Sequence, residues 1–129
     1  MKYLIIPLLF ISSNLFSQNV LKFTATYLKF VSTEQSWREV EWQKTDIPVT
    51  LRDNGSSIRL MIYSKETQTY YLYKLIDETD NYEYSAITYV SEDYEGFRCH
   101  ITIKNYKSEE SYDQVIIAYS DYQWAYCIE

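Results

Sequence analysis

The run Ile47–Tyr63 constrains the fold of this chain more than any other stretch. Two alternating apolar segments flank an Asn54-Gly55 pair, and Asn-Gly between such segments is the strongest short-range signal for a β-hairpin. Both residues tolerate positive φ, so a type I′ turn is expected. The apolar residues of each strand share one face: Ile47, Val49 and Leu51 before the turn, and Ile58, Leu60 and Ile62 after it. Met61 and Tyr63 are expected on the opposite face.

Further alternating segments predict more strands around this hairpin. They are Val20–Val31, Thr69–Ile76, Tyr84–Ser91, Phe97–Lys104, Asp113–Tyr119 and Tyr122–Ile128. About eight or nine short strands with turns between them and no long helix are typical of an all-β domain. Short connections favour an up-and-down antiparallel meander that closes into a small barrel, because closure removes exposed sheet edges. A β-sandwich is the alternative.

Strict alternation assigns a face to each residue of these strands. Tyr27 then shares the side of Ala25, and Phe97 points inward with Cys99. In the segment Thr69–Ile76, one face carries Tyr71, Tyr73 and Leu75, and the other carries Tyr70, Leu72 and Ile76. The acidic stretch Asp77–Asn81 that follows is expected to be a loop.

The segment Trp37–Lys44 is compatible with two structures. As a strand it would point Val40 and Trp42 inward, and its two tryptophans and strand-rich surroundings favour this reading. As a helix it would begin with a capping box formed by Ser32 and Gln35.

The N-terminal segment Met1–Ser17 has the composition of a secretory signal peptide. Lys2 supplies a positive start, the apolar run Leu4–Phe16 follows, and the small Ser17 offers a cleavage point. The apolar run is shorter than the about 20 residues needed to span a bilayer. We therefore expect export to the periplasm or the exterior, with 18–129 as a single β domain.

The composition is acidic and rich in tyrosine. A net charge of −6 repels nucleic-acid backbones and anionic lipid surfaces, so neither is expected as a partner. The 15 tyrosines suit strand surfaces, although large exposed aromatic side chains can also form a binding surface. The candidate binding surface consists of Met61, Tyr63, Tyr71 and Tyr73. Cross-strand packing that stabilises the sheet is the alternative role for these residues.

The sequence contains no motif for zinc, nucleotide or acyl-transfer chemistry, so we assign no catalytic residue, metal ligand or cofactor. His100 is the single histidine and is expected on the exposed face of its strand. The acidic clusters Asp77–Asp80 and Glu92–Glu95 do not match the spacing of an EF-hand loop. We expect both clusters to be solvated loop tips.

Cys99 and Cys127 are the only cysteines, and an even number in an exported chain is compatible with a disulfide. Alternation places Cys99 with Phe97 and Ile101, whereas Cys127 lies opposite Trp124 and Tyr126. In a meander, the strand Asp113–Tyr119 also separates them by more than a disulfide can span. Two separate thiols are favoured, and a bulge or a sandwich crossing would be needed to form the bridge.

Several segments resemble a group of small exported flavobacterial-type proteins of unassigned activity. The matching features are the Trp37 and Trp42 pair, the phrase IYSKETQTYYLY at Ile62–Tyr73 and the ending AYSDYQWAY at Ala118–Tyr126. The resemblance implies export and an all-β fold, and it carries no catalytic residues to transfer.

These observations favour an exported, non-enzymatic barrel that binds a small apolar ligand or a protein. An eight-stranded barrel is either filled by side chains or holds one small ligand, and the sequence leaves both possible. One alternative is an acidic inhibitor or immunity-type partner that covers the basic cleft of an exported enzyme. The other alternative is a hydrolase that uses scattered carboxylates. The sequence does not specify the oligomeric state.

Overall fold

The computed structural model describes residues 19–129, and the predicted targeting segment Met1–Ser17 lies outside the described residues. The described chain forms eight antiparallel strands, each hydrogen-bonded to the next, and the last strand pairs back with the first. The strands are β1 (Asn19–Ser32), β2 (Gln43–Asp53), β3 (Ile58–Tyr63), β4 (Thr67–Asp80), β5 (Tyr84–Asp93), β6 (Arg98–Tyr106), β7 (Asp113–Ala118) and β8 (Tyr122–Ile128). The predicted all-β meander closed into a barrel is confirmed, and the sandwich alternative is wrong.

Aliphatic side chains fill the middle of the barrel. The large side chains with less than 2% exposure are Leu60, Ile62, Ile87, Ile101, Ile103, Ile117 and Val49. They belong to one continuous hydrophobic cluster to which every strand contributes. Burying such a side chain stabilises the fold by about 1.5–3 kcal/mol. The outward placement of Met61 and Tyr63 is also confirmed, because Tyr63 is 37% exposed while its neighbour Ile62 is fully buried.

Two long strands contain β-bulges that overturn part of the expected alternation. In β1 the register shifts between Ala25 and Tyr27, so that Leu28 packs against the core instead of Tyr27. In β4 the register shifts at two places, between Leu72 and Lys74 and between Leu75 and Asp77. A bulge adds one unpaired residue and reverses the faces that follow it.

The bulges in β4 decide which of its residues are exposed. The two extra residues, Tyr73 and Ile76, are 63% and 45% exposed. Leu75 turns inward and packs against the core. The expectation that Leu75 shares the outer face of Tyr71 and Tyr73 is therefore wrong, as is the pairing of Ile76 with the inward residues.

The turn of the central hairpin differs from the expected type I′ turn. Asp53 pairs with Ile58, so the connection holds four residues, and the backbone N–H of Asn54 donates to Ser57 O over 3.2 Å. Positive φ is confined to Gly55, at 91°. The side-chain oxygen of Asn54 accepts hydrogen bonds from the N–H groups of Ser56 and Ser57, at 3.1 and 2.8 Å. This side-chain mimic of a backbone turn removes the need for positive φ at Asn54.

Residues 33–42, which we call the strap, connect β1 to β2 and contain neither the expected strand nor the expected helix. A single 3-10 turn spans Trp37–Glu39, and Glu39 Oε1 accepts the backbone N–H of Ser36 at 2.6 Å. Gln35 Oε1 does accept the backbone N–H of Ser32 at 3.1 Å, as a capping box requires, but no α-helix follows. The strap instead lies over the outer face of β1, where its tryptophans contact a lysine rather than the core.

Two further local expectations are wrong. Asp77–Asp80 continues β4 instead of forming a loop, because these residues pair with Ser85–Thr88 of β5. Asp80 also forms an ion pair with Lys107 at 2.7 Å. Phe97 precedes β6 and is 62% exposed, so it does not join the core face of Cys99.

The strands β1, β3, β5 and β7 all finish at the same end of the barrel, which we call the upper end. The strap and the connections 64–66, 94–97 and 119–121 lie there. The connections 54–57, 81–83 and 107–112 lie at the opposite, lower end. At this lower end, Glu129 exchanges two backbone hydrogen bonds with Thr24, at 2.9 and 3.0 Å.

Candidate functional site

A groove of about 490 Å³ opens at the upper end of the barrel. We call it the mouth groove, and its lining residues are Ser64, Lys65, Glu66, Thr67, Gln68, Tyr70, Asp93, Tyr94, Glu95, Tyr119, Tyr122 and Trp124. Sites for small molecules commonly have volumes of about 300–1,000 Å³, and barrel mouths are among their usual places. The mouth groove is therefore the candidate functional site.

The floor of the mouth groove is aromatic because the inward-facing residues change type toward the upper end. Ile117 on β7 is followed two positions later by Tyr119, and Tyr126 on β8 is preceded by Trp124. Tyr70 of β4 lies beside them and is 4% exposed. Period-two alternation of the strands thus carries aromatic side chains from three strands to one end of the core.

Asp93 anchors the rim of the groove and binds Tyr119. Its Oδ1 accepts the backbone N–H groups of Glu95 and Phe97 at 3.0 and 2.9 Å, which closes the turn after β5. Its Oδ2 accepts the Tyr119 hydroxyl at 2.7 Å. Burial, followed by the hydrogen bond to Asp93, raises the pKa of Tyr119 well above its usual value. Tyr119 is therefore a neutral hydrogen-bond donor at neutral pH.

A second tyrosine, Tyr70, is held in a similar way beside Tyr119. The Tyr70 hydroxyl donates to Gln68 Oε1 at 2.6 Å, and Gln68 Nε2 donates to the Ser64 hydroxyl at 3.2 Å. Burial raises the pKa of Tyr70 above its usual value, with a smaller contribution from nearby Tyr126. The polar groups around the aromatic floor are thus bonded to one another in a fixed arrangement.

Two residues of this floor belong to a continuous cluster of four aromatic rings, which we call the upper aromatic cluster: Phe30, Tyr119, Tyr122 and Trp124. Phe30 lies 4.7 Å from Trp124 and 5.2 Å from Tyr122, measured between ring centroids. Tyr119 stacks on Tyr122 with centroids 4.9 Å apart and ring planes inclined by 25°. Phe30 remains 41% exposed, so the cluster is open to solvent.

Charge in the mouth groove is mainly negative. Its lining contains the carboxylates of Glu66, Asp93 and Glu95 against the single ammonium of Lys65. Glu66 and Glu95 are exposed, whereas Asp93 is half-buried. A groove lined by an excess of one sign of charge concentrates ligands of the opposite sign.

A second groove of about 700 Å³ adjoins the mouth groove at the side of the barrel. The pairing of β6 with β7 stops at His100 and Ala118, so the two strands separate above this point. Arg98 and His100 line the outer part of this side groove, and Asp93 and Tyr119 are shared with the mouth groove. His100 is exposed, as its position in the alternating pattern predicts.

The residues of the predicted binding surface lie on the outer faces of β3 and β4. The Tyr63 hydroxyl donates to Met61 Sδ and lies near Thr50 Oγ1, at 3.4 Å in each case. The guanidinium of Arg59 lies over Tyr71, with its Cζ 5.7 Å from the centroid of the tyrosine ring. Tyr73 is the extra residue of the first bulge in β4, where desolvation, then Glu92 and last Tyr71 raise its pKa.

The two cysteines are separate thiols on opposite faces of the barrel wall. Cys99 is buried inside the barrel, and Cys127 is buried on the outer face. Cys127 pairs with Tyr27 of β1 and lines an outer groove of about 430 Å³ together with Trp42 and Tyr112. Burial raises the pKa of each thiol to about 11. Neither thiol is therefore ionised at neutral pH.

Lys29 of β1 holds the strap against the barrel. It is 4% exposed, and its Nζ lies 4.1 Å from the ring centroid of Trp37 and 4.6 Å from that of Trp42. The same Nζ donates to the carbonyl oxygens of Trp37 and Val40 at 2.9 and 3.3 Å. Burial lowers the pKa of Lys29 from its usual value. The cage formed by Trp37 and Trp42 is thus occupied by the protein's own cation.

Sequence reasoning missed Lys29, Asp93 and the upper aromatic cluster. The sequence signal for Lys29 is weak: it is a lysine two positions before the apolar Val31. Both side chains lie on the outer face of β1, and the structure shows both buried. The signal for the cluster is stronger, because Tyr119, Tyr122 and Trp124 flank the tight turn after β7. Neither signal identifies its partner, because Lys29 is covered by the irregular strap and Phe30 reaches Tyr122 and Trp124 from the other end of the described chain.

Comparisons of the chain with protein-family models, curated protein sequences and solved structures found no match. The resemblance to small exported flavobacterial-type proteins therefore stays a prediction. Within residues 19–129, no group of three or more His, Cys, Asp or Glu side chains is arranged to hold a metal ion. Over the same residues, no helix has the length and apolar character needed to cross a membrane.

Proposed function

We propose that this protein is a non-enzymatic binding module that acts after export and takes a small ligand into the mouth groove. The observation that carries the proposal is the position of the groove, which lies above a core already filled by aliphatic side chains. A ligand would therefore bind at the mouth of the barrel, against Tyr70, Tyr119 and Trp124, rather than within its middle. Aromatic floors with a few fixed polar groups are typical of small-molecule sites.

The arrangement of polar groups supports binding rather than acid–base chemistry. Asp93 accepts three hydrogen bonds from the protein itself, two from its own turn and one from Tyr119. Tyr70 and Tyr119 stay protonated because burial raises the pKa of both phenols. A hydrolase would need a carboxylate or a nucleophile held against the substrate. Asp93, Tyr70 and Tyr119 instead stabilise the shape of the groove, and the other carboxylates of the lining, Glu66 and Glu95, are exposed on the connections that border it.

A ligand-observed NMR screen of small fragments tests the proposal directly. We expect fragments to bind the wild-type protein and to lose binding in the variant Trp124→Leu, which removes one ring from the groove wall. The matched control is Tyr82→Leu, because Tyr82 is an aromatic residue of the lower end and is 94% exposed. Circular dichroism and urea unfolding would establish that both variants are folded. If no fragment distinguishes Trp124→Leu from Tyr82→Leu, the mouth groove is not the binding site.

The proposed export has its own test. Expression in a secreting bacterial host with mass measurement of the product should show removal of Met1–Ser17, which carries the predicted signal features. Changing the apolar run by a Leu9→Arg substitution should block removal. Retention of the full-length mass in a host that processes a control signal peptide would contradict export.

Protein recognition through the outer face of β3 and β4 is the second candidate, and the 63% exposure of Tyr73 is the observation that favours it. The triple variant of Tyr63, Tyr71 and Tyr73 to Ser should fold but fail to retain a partner that the wild type captures. The contacts of Tyr63 with Met61 and of Tyr71 with Arg59 support a structural role for these two residues. Equal capture by the triple variant would eliminate this candidate.

A further inference from the structure

Aromatic residues of this barrel repeatedly hold the protein's own cations. Lys29 lies between Trp37 and Trp42, as described above. Lys104 lies over two tyrosines of neighbouring strands, 4.2 Å from the ring centroid of Tyr84 and 5.0 Å from that of Tyr106. Arg59 covers Tyr71 at 5.7 Å. The electron-rich faces of tyrosine and tryptophan attract ammonium and guanidinium groups, most strongly where water is excluded.

The upper aromatic cluster lacks such a cation. Within residues 19–129, no Lys or Arg lies over the rings of Phe30, Tyr119, Tyr122 or Trp124. The pair Tyr27 and Tyr112 also has none, but the outer groove beside it contains a single carboxylate, Glu110. The mouth groove, by contrast, combines aromatic faces with an excess of carboxylates.

The charges next to the cluster favour a positive ligand. Glu66 and Glu95 line the groove on the two connections that border it, and Asp93 lines it as well and accepts the Tyr119 hydroxyl. Lys65 is the one basic residue of this lining. Carboxylates near aromatic faces disfavour an anion by charge repulsion and offer nothing specific to a neutral apolar molecule.

We infer that the ligand of the mouth groove is a small organic cation, an alkylated or aryl ammonium whose charged head lies over Tyr122 and Trp124 and faces Glu66 and Glu95. This inference rests on the proposed function, since it names the chemical class that the proposed site accepts. The neutral hydroxyls of Tyr70 and Tyr119 are engaged by Gln68 and Asp93, and Tyr119 covers one face of Tyr122. The partly exposed rings of Tyr122 and Trp124 and the exposed carboxylates of Glu66 and Glu95 remain for the ligand.

Two probes of the same shape, one positively charged and one neutral, test the inference. Phenyltrimethylammonium carries the positive charge, and tert-butylbenzene replaces its nitrogen with carbon. Binding would be followed by NMR shifts of the indole N–H of Trp124 during titration of the full folded protein. We expect the cation to bind about tenfold more tightly than the neutral isostere, which is the preference that a partly exposed cation–π site gives.

Charge-removing variants locate the source of that preference. The double substitution Glu66→Gln and Glu95→Gln should reduce the preference for the cation severalfold while leaving the affinity for tert-butylbenzene unchanged. The matched control Glu83→Gln removes one exposed carboxylate at the lower end and should leave both affinities unchanged. Because all three positions are exposed, the variants are expected to fold, and their urea midpoints would verify this.

The outcomes distinguish a failure of the cation inference from a failure of the proposed function. Equal or tighter binding of tert-butylbenzene in the mouth groove would overturn the cation inference while leaving the groove as a binding site. Absence of any shift at Trp124 with either probe would also overturn the inference. If the fragment screen then gives no ligand of any charge at Trp124, the proposed function fails as well.

Discussion

The Tyr119 hydroxyl donates to Oδ2 of Asp93 over 2.7 Å, which ties the end of β7 to the turn that joins β5 to β6. Asp93 ends β5 and Tyr119 directly follows β7, and β6 lies between these two strands. The contact therefore bridges the place where β6 and β7 separate, and it joins two residues that line both the mouth groove and the side groove.

Substitution Tyr119→Phe tests how much this contact contributes to stability. Loss of a hydrogen bond to a charged group should lower the free energy of unfolding by about 1.5–3 kcal/mol. Urea unfolding followed by circular dichroism would measure it. Tyr82→Phe, at a tyrosine that is 94% exposed, should change stability by less than about 0.5 kcal/mol. Similar values for the two variants would show that the Asp93 contact contributes little.

The pair Ile116 and Ile117 offers a direct test of which face of β7 points into the barrel. Ile117 is fully buried in the core, whereas Ile116 is only partly buried on the outer face. Ile117→Ala should cost about 2–5 kcal/mol because it leaves a cavity in a packed core. Ile116→Ala should cost clearly less in the same urea experiment. A larger loss at Ile116 would reverse the assignment of faces.

Substitution Lys29→Met should release the strap while leaving the barrel folded. The carbonyl oxygens of Trp37 and Val40 lose their donor, and the two tryptophans lose the cation between them. Relief of the burial cost of the ammonium offsets part of the loss in global stability. Cleavage after Arg38 by an arginine-specific protease should therefore accelerate more than global unfolding does. Lys22→Met, at an exposed position of β1, is the control and should leave the cleavage rate unchanged.

Stability should fall in alkaline solution as the buried thiols become ionisable. Burial raises the pKa of Cys99 and Cys127 from 9.0 to about 11. The unfolded chain therefore releases these protons first, and the associated stability, complete below pH 9, is lost as the pH rises toward 11. Urea midpoints measured across this range would show the decline. The double variant Cys99→Ala and Cys127→Ala should show a shallower decline, with the remainder due to buried tyrosines such as Tyr119, whose pKa is also raised.

Reactivity of the same thiols gives an independent check. In the folded protein both should react slowly with a thiol reagent below pH 9, because each is buried and protonated. Unfolding in urea should make both react rapidly and in a ratio of two thiols per chain. If no thiol reacts even in the urea-unfolded protein, the two cysteines form a disulfide, contrary to the structure.

Period-two alternation predicted the core of the central hairpin because Leu60 and Ile62 alternate with residues that are clearly more polar or more exposed. The same rule was wrong for Tyr27 and Leu75. A bulge reverses the faces that follow it, and tyrosine and leucine suit either face of a strand whose outer surface is partly covered. The sequence gives no local sign of these bulges, since they are fixed by pairing with strands elsewhere in the barrel.

The candidate site was less predictable than the fold. Alternation alone places Tyr119 and Trp124 on the inward face, and that part of the mouth groove could be read from the sequence. The contact of Tyr119 with Asp93 depends on the stagger of strands around the closed barrel. The role of Asp93 could not be predicted for a second reason. The segment Glu92–Glu95 that contains it has the composition of an ordinary solvated turn.

The pairing of β8 with β1 has a consequence for biogenesis. These strands lie at the two ends of the described chain, so the seam between them is the contact of longest sequence separation and is expected to form late. Until Ile128 reaches Ala25, the nascent molecule is an open sheet with two unsatisfied edges rich in aromatic residues, and such edges recruit other chains. The hazard of aggregation is therefore greatest before β8 pairs with β1.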